Sequence, residues 1–172
     1  MPHRQRHDPS KNLVGFVVGE VEYAVEIARV REITNPLPVV ALPHAPPAVV
    51  GVADYRGEVV PVVDLRTRFG LTAVPATRRT KWLVVDALGR AVALIVDGVT
   101  EVFGTGGAVL RPAPGLGAGV DLRGIAGVGN HGGALIFVLD VSRLRELTEP
   151  LAAAGKIGAS VRPVGLPPGG PT

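Results

Sequence analysis

The strongest constraint on this chain is that it repeats itself. Tyr23-Ala24-Val25 falls on Val92-Ala93-Leu94 at an offset of 69 positions, and the same offset places Ile27 on Val96, Val30 on Val99, Glu32 on Glu101 and Ile33 on Val102. Further on, Gly51-Val52-Ala53 answers to Gly124-Ile125-Ala126. Pro61-Val62-Val63-Asp64-Leu65 answers to Phe137-Val138-Leu139-Asp140-Val141, the offset growing to 76 through loop insertions. Valine-rich strands align with one another by chance, but here the glycines and aspartates recur in the same order. A repeated unit has to bury its apolar face on itself or on its twin. The simplest architecture is two similar units related by a pseudo-two-fold axis.

The apolar periodicity inside each unit is two, not 3.6. In Val21-Glu22-Tyr23-Ala24-Val25-Glu26-Ile27 the residues Val21, Tyr23, Val25 and Ile27 share one face, as in a half-buried strand. This run pairs with Leu13 to Val18 through Gly19-Glu20, where glycine in the first turn position predicts a type II′ hairpin. Further β-rich runs cover Leu37 to Val40, Val49 to Tyr55, Glu58 to Asp64, Lys81 to Asp86, Ala91 to Val96, Val99 to Phe103, Leu122 to Val128 and Ala134 to Leu139. Short strands separated by Gly/Pro turns predict small barrels, an all-β fold. Helix is confined to Leu65–Phe69, closed by Gly70, and to Val141–Leu147 behind Asp140 as an N-cap.

The sequence pI of about 9.8 directs attention to nucleic acid, but the charge lies at the ends. Of the net +3, residues 1–12 carry +2 and residues 152–172 another +2, which leaves the body at −1. Aromatic residues make up only 4%, so the stacking platforms of single-strand binders are missing. The predicted organisation is a disordered basic tail over 1–12, a folded body over 13–151 with a first barrel of about 13–78 and a second of about 79–151, and a Gly/Pro-rich disordered tail over 152–172. No apolar run reaches the roughly 20 residues of a membrane span and no leader follows the charged start, so the expected setting is cytoplasmic.

Catalytic constellations are hard to assemble from these residues. The four histidines are His3, His7, His44 and His131, and none has ligand spacing to a partner within an ordered element. Ser10, Ser142 and Ser160 have no nucleophile-elbow context. Gly104-Thr105-Gly106-Gly107 has no following lysine, so no phosphate loop is expected. Asp64 and Asp140 end strands, where catalytic carboxylates often sit, but each precedes a short apolar turn and reads better as a structural N-cap. No metal and no cofactor is expected.

The runs Tyr23-Ala24-Val25-Glu26-Ile27-Ala28-Arg29-Val30-Arg31-Glu32-Ile33 and Gly51-Val52-Ala53-Asp54-Tyr55-Arg56-Gly57-Glu58-Val59-Val60-Pro61-Val62-Val63-Asp64-Leu65-Arg66 closely resemble the CheW-like domain. The Leu42-Pro43 to Pro46 bend, Ala91 to Val102 with Val96-Asp97-Gly98-Val99, and Arg111-Pro112-Ala113-Pro114 extend the resemblance over nearly all of residues 13–150. It implies two SH3-like five-stranded β-barrels related by a pseudo-two-fold, with short helices. It also implies a non-catalytic adaptor that couples the cytoplasmic tip of a chemoreceptor to the regulatory domain of a CheA-type histidine kinase, and so a protein recruited to membrane-associated receptor arrays. The receptor-facing positions implied are Val30, Glu32, Gly51, Arg56 and Val99, with Gly57, Asp64 and Asp140 structural. The chain departs from the family at Asp54-Tyr55, where Asn-Leu is more usual. The alternatives are a detached kinase regulatory domain, an enzyme built on Asp64, Asp140 and a histidine, and a nucleic-acid binder working through the tails.

Overall fold

The computed structural model describes residues 11–104, 111–112, 124–145 and 147–148. Most of both tails, Thr105-Gly106-Gly107, Ala113-Pro114 and the expected strand start at Leu122 lie outside the described residues. The strands are β1 (Leu13–Val18), β2 (Val21–Glu26), β3 (Val30–Thr34), β4 (Val49–Tyr55), β5 (Glu58–Asp64), β6 (Lys81–Asp86), β7 (Ala91–Val96), β8 (Gly98–Phe103), β9 (Arg111–Pro112), β10 (Ile125–His131) and β11 (Ala134–Leu139). One short helix, α1 (Leu65–Arg68), and 3₁₀ turns over Ile27–Arg29 and Val141–Leu144 complete the described elements. Asn12, assigned to the tail above, already belongs to the body, because its carbonyl accepts the Ile27 N–H.

The strands form a six-stranded sheet in the order β8-β1-β2-β11-β10-β9 and a five-stranded sheet in the order β3-β6-β7-β5-β4. The repeat gives this order its logic. With β1 to β5 as one unit and β6, β7, β8, β10 and β11 as the other, each sheet takes strands one and two from one unit and strands three, four and five from the other. The expected division into a first barrel of about 13–78 and a second of about 79–151 is therefore corrected: the leading hairpins are exchanged. Two parallel pairings carry the exchange, β2 with β11 (Phe137 opposite Tyr23) and β5 with β7 (Val63 opposite Leu94). Only the three-residue turn Ile27–Arg29 separates β2 from β3, and Asp97 alone separates β7 from β8. Connections this short leave each hairpin no route back to its own unit.

The core repeats in the same way. Leu13, Ala24, Phe103, Ile136 and Val138 fill the six-stranded sheet, while Ala53, Val60, Val62, Trp82, Val84, Ala91 and Ala93 fill the other. A third cluster, with Val14, Phe16, Tyr23 and Val25 facing Leu83, Val85, Val92 and Leu94, joins the two. Its aromatic centre is Tyr23, stacked on Phe16 and on Phe69 with centroids 5.8 and 4.7 Å apart, and burial pushes its hydroxyl pKa up. Alternation along each strand makes this possible: one set of side chains points into its own barrel and the other across to the twin.

Turns follow the local chemistry. Gly19 at φ 62 opens the two-residue loop between Val18 and Val21, and Glu20 is not among the positive-φ residues, as a type II′ turn requires. After α1, Gly70 at φ 81 closes a Schellman motif, with Gly70 N–H donating to Thr67 and Leu71 N–H to Arg66. The two units are also tied by Asp97, whose Oδ2 accepts the Gly19 N–H at 2.6 Å and the Arg66 guanidinium. That carboxylate joins the tip of one hairpin, the crossing between sheets and α1.

With the leading hairpins exchanged, neither half is a folding unit. Separately expressed residues 1–78 and 79–172 are each expected to lack the cooperative unfolding of a monomer, and mixing them is expected to restore it. A half that unfolds cooperatively as a stable monomer contradicts the topology.

Candidate functional site

The exchange leaves β3 and β4 as opposite edges of the five-stranded sheet, and a polar cluster ties them together. The turn between β4 and β5 is the two-residue loop Arg56-Gly57, with φ of 51 and 81, the type I′ geometry that tight hairpins favour. Asp54 braces it by accepting the Gly57 N–H at 2.8 Å. From this tip Arg56 reaches across to Glu32 on β3 in a fork, Nε to Oε2 at 2.9 Å and Nη2 to Oε1 at 3.1 Å. The Tyr55 hydroxyl donates to the same Oε2 at 2.5 Å. Beside them Arg31 spans Glu58 at 3.3 Å and Asp86 at 3.2 Å. Hydrogen bonds from Arg56, then from Tyr55, hold the Glu32 carboxyl below the usual carboxylate range, and the bond to Glu32 pushes the Tyr55 hydroxyl up. Asp86 is lowered too, chiefly by the Gly89 N–H.

The twin barrel carries a reduced form of the same closure. Glu101 replaces Glu32 at the 69 offset and contacts His131 Nε2 at 2.8 Å; His131 replaces Tyr55 at the 76 offset and stacks on Phe103. Its hairpin turn is Gly132-Gly133, with φ of 58 and 85, braced by Asn130 as Asp54 braces the first. Glycine thus occupies the left-handed position that Arg56 fills in the other half. A non-glycine residue there costs about 1 kcal/mol or more, so the arginine is held at the expense of local strain.

Of the positions named from the sequence, the fold brings Glu32 and Arg56 into direct contact, with Arg56 left 72% exposed. Val30 lies two residues before Glu32 on β3, half-buried, and packs against the central cluster. Val99 does the same from the twin position on β8, so the two valines meet the shared core from opposite sheets. Gly51 is buried at a β-bulge, where an added β-carbon would lie 2.2 Å from the Val40 carbonyl oxygen. What this place presents outward is Val40, 67% exposed. Asp64 accepts the Arg66 N–H and Asp140 the Ser142 N–H, both at 2.9 Å, so each carboxylate caps the turn that follows it. Among the described residues no group of three or more His, Asp or Glu could hold a metal ion. The sequence marks Tyr55 only as a departure from the usual leucine; its bond to Glu32 is what the fold adds.

A family model for the CheW-like domain matches residues 12–149. The chain belongs to the CheW-like domain family. It is 32% identical to the chemotaxis protein CheW of Rhizobium meliloti over 83% of this chain and 92% of that one. To CheW of Klebsiella aerogenes it is 29% identical, over 84% and 87%. Among solved structures it matches the scaffolding protein TtCheW of Thermoanaerobacter tengcongensis with a TM-score of 0.70 and 27% identity, covering 76% of this chain and 89% of that one. The two-barrel, all-β fold expected from the resemblance is the fold of this family, and the family match spans both repeats.

The lowered Glu32 pKa has a consequence for stability. The unfolded chain binds a proton to this residue at higher pH than the folded one does, so its contribution is present above the unfolded pKa and is lost as pH falls through the folded value. Stability of the parent against denaturant is therefore expected to weaken as pH falls through and below the ordinary carboxylate range, and Glu32→Gln to flatten part of that slope. Identical slopes for the two proteins contradict the pairing. In parallel, Asp64→Ala is expected to cost about 1 kcal/mol at neutral pH through loss of its cap.

Proposed function

We propose that this chain is a non-catalytic adaptor that couples the cytoplasmic tip of chemoreceptors to a CheA-type histidine kinase, and that Glu32 and Arg56 form the centre of its receptor-facing surface. The observation that carries this reading is the asymmetry between the barrels. Both hairpin tips close their barrels through a glutamate, yet only one places an exposed arginine in a strained backbone position where its twin has Gly132. The Glu32 pair offsets that strain but adds little net stability at an exposed tip, so contact with a partner is the gain that arginine offers over glycine there. A guanidinium held in a fork on a tight hairpin loses little further entropy on binding, which makes it a suitable anchor. Membership of a family that includes chemotaxis and scaffolding proteins supports the same reading.

Val30 and Val99 belong to this reading as residues that support the surface from the shared core, and Gly51 as the residue that lets Val40 lie across β4. The regulatory domain of the kinase is the second partner in this reading. Among the described residues no helix is long and apolar enough to cross a membrane. In this reading the chain joins receptor arrays through its contacts with receptor and kinase.

Arg56→Gly separates folding from function, because it installs the residue the twin hairpin already has. Stability is expected to hold, since relief of the backbone strain offsets an exposed pair that contributes little. Affinity for a receptor hairpin-tip fragment is expected to fall by about 2 kcal/mol. In a reconstituted mixture of receptor, kinase and this chain, omitting the chain is expected to abolish receptor control of the kinase. Unchanged control without it, or parent-like affinity in Arg56→Gly, refutes the assignment.

A further inference from the structure

Tyr55 is the third member of the Glu32 cluster. Its ring is half-buried and packs against the core formed by Ala53, Val60 and Trp82, so its place is set by the barrel interior. From that anchor its hydroxyl reaches Glu32 Oε2 at 2.5 Å, and the Arg56 guanidinium carbon lies 5.7 Å from the ring centroid. It is thus the only one of the three side chains with its body in the core and its polar atom on the pair. An exposed ion pair without such an anchor samples open geometries and contributes little. Tied to a packed ring, the carboxylate stays in one position and the guanidinium stays on it.

The charge arithmetic gives this a consequence for recognition. Two of the five guanidinium N–H groups are taken by Glu32, at 2.9 and 3.1 Å, and the Tyr55 hydroxyl also interacts with the guanidinium, so donors remain outside the pair on a side chain 72% exposed. The neighbouring cation Arg31 is likewise engaged with Glu58 and Asp86 across the same edge. A partner that docks here meets the remaining Arg56 donors on a guanidinium whose charge is already matched by Glu32.

We propose that Tyr55 is a positioning residue of the receptor-facing site. Its hydroxyl fixes Glu32 so that Arg56 docks as half of a closed, charge-neutral pair, offering its remaining N–H groups to backbone carbonyls of the receptor tip. This rests on the adaptor reading above and deepens it, by naming neutral acceptors as the chemistry recognised. Protonation supports the arrangement: the Glu32 carboxyl is lowered and the Tyr55 hydroxyl raised, so near neutral pH one stays an acceptor and the other a donor.

The test uses the full chain, its Tyr55→Phe variant, and a cytoplasmic hairpin-tip fragment of a chemoreceptor from the same cell. Phenylalanine keeps the packed ring and removes only the hydroxyl. Carboxylate NMR of the free proteins is expected to show the Glu32 titration midpoint moving up in Tyr55→Phe. Affinity for the fragment is expected to fall about three- to tenfold, with a steeper dependence on salt than the parent shows. In a Glu32→Gln background the same change is expected to have no further effect on affinity, because the group it positions is gone. An unmoved Glu32 midpoint, parent-like affinity in Tyr55→Phe, or an undiminished effect in the Glu32→Gln background overturns the proposal. Failure of the parent itself to bind the fragment defeats the adaptor reading and the docking role together, and is recognised because it appears before any substitution is made.

Discussion

Everything in this fold depends on two parallel strand pairings, β2 with β11 and β5 with β7. Each joins strands from different repeats, and each lies at the middle of its sheet. Antiparallel hairpins form locally, but a parallel neighbour must come from far along the chain. Here the duplication supplies it. Once β1 and β2 are committed to β11, the three residues from Ile27 to Arg29 force β3 onto the other sheet, where it becomes an edge. The two edges, β3 and the β4–β5 tip, then have to be closed by side chains instead of a ladder, and Arg31, Glu32, Tyr55 and Arg56 are the side chains that do it. The candidate site is therefore a consequence of the exchange.

Divergence between the repeats shows how each barrel was adjusted around the same frame. In the six-stranded sheet Phe103 fills the interior, and Gly15 makes room for it: an added β-carbon there would lie 3.2 Å from the Phe103 ring and 2.5 Å from Thr100 Oγ1. At the matching positions of the other sheet the pair is Thr34 and Val84, a smaller residue against a larger one. Interiors at crystal-like density tolerate such paired changes better than single ones. Polar closure diverged likewise, with Tyr55-Arg56 at one tip and His131-Gly132 at the other. A symmetric frame thereby presents two chemically different ends.

Much of this is legible in the residues. The II′ hairpin at Gly19, the Schellman stop at Gly70 and the caps at Asp64 and Asp140 each follow from one residue type in one local context. Strand β3 escapes a reading by pattern because it alternates half-buried with exposed residues, Arg31 and Glu32 included, and buries none fully. Leu37 to Val40 looks like a strand, but Pro36 and Pro38 flank and interrupt it, and a single bridge from Val40 to Val52 is all that forms. The glycine alignment shifts by three residues: Gly51 corresponds to Gly127, since the bulges at Val49/Gly51 and Ile125/Gly127 share the 76 offset. The exchange itself is invisible in the sequence, because a hairpin has the same apolar pattern whichever sheet it joins. Glu32 and Arg56 are singled out only through the family resemblance, and their mutual contact depends on where the sheet edges fall.

The central claim is that the two repeats are interlocked into one cooperative body. Native-state hydrogen exchange tests it most directly, by comparing the slowest amides of β1–β2 with those of β6–β7 across a denaturant series. Interlocking predicts that both sets exchange only through one global opening, with the same free energy and the same denaturant dependence. If one set exchanges through a separate, lower-energy opening while the other stays protected, the sheets are independent and the account of the fold fails.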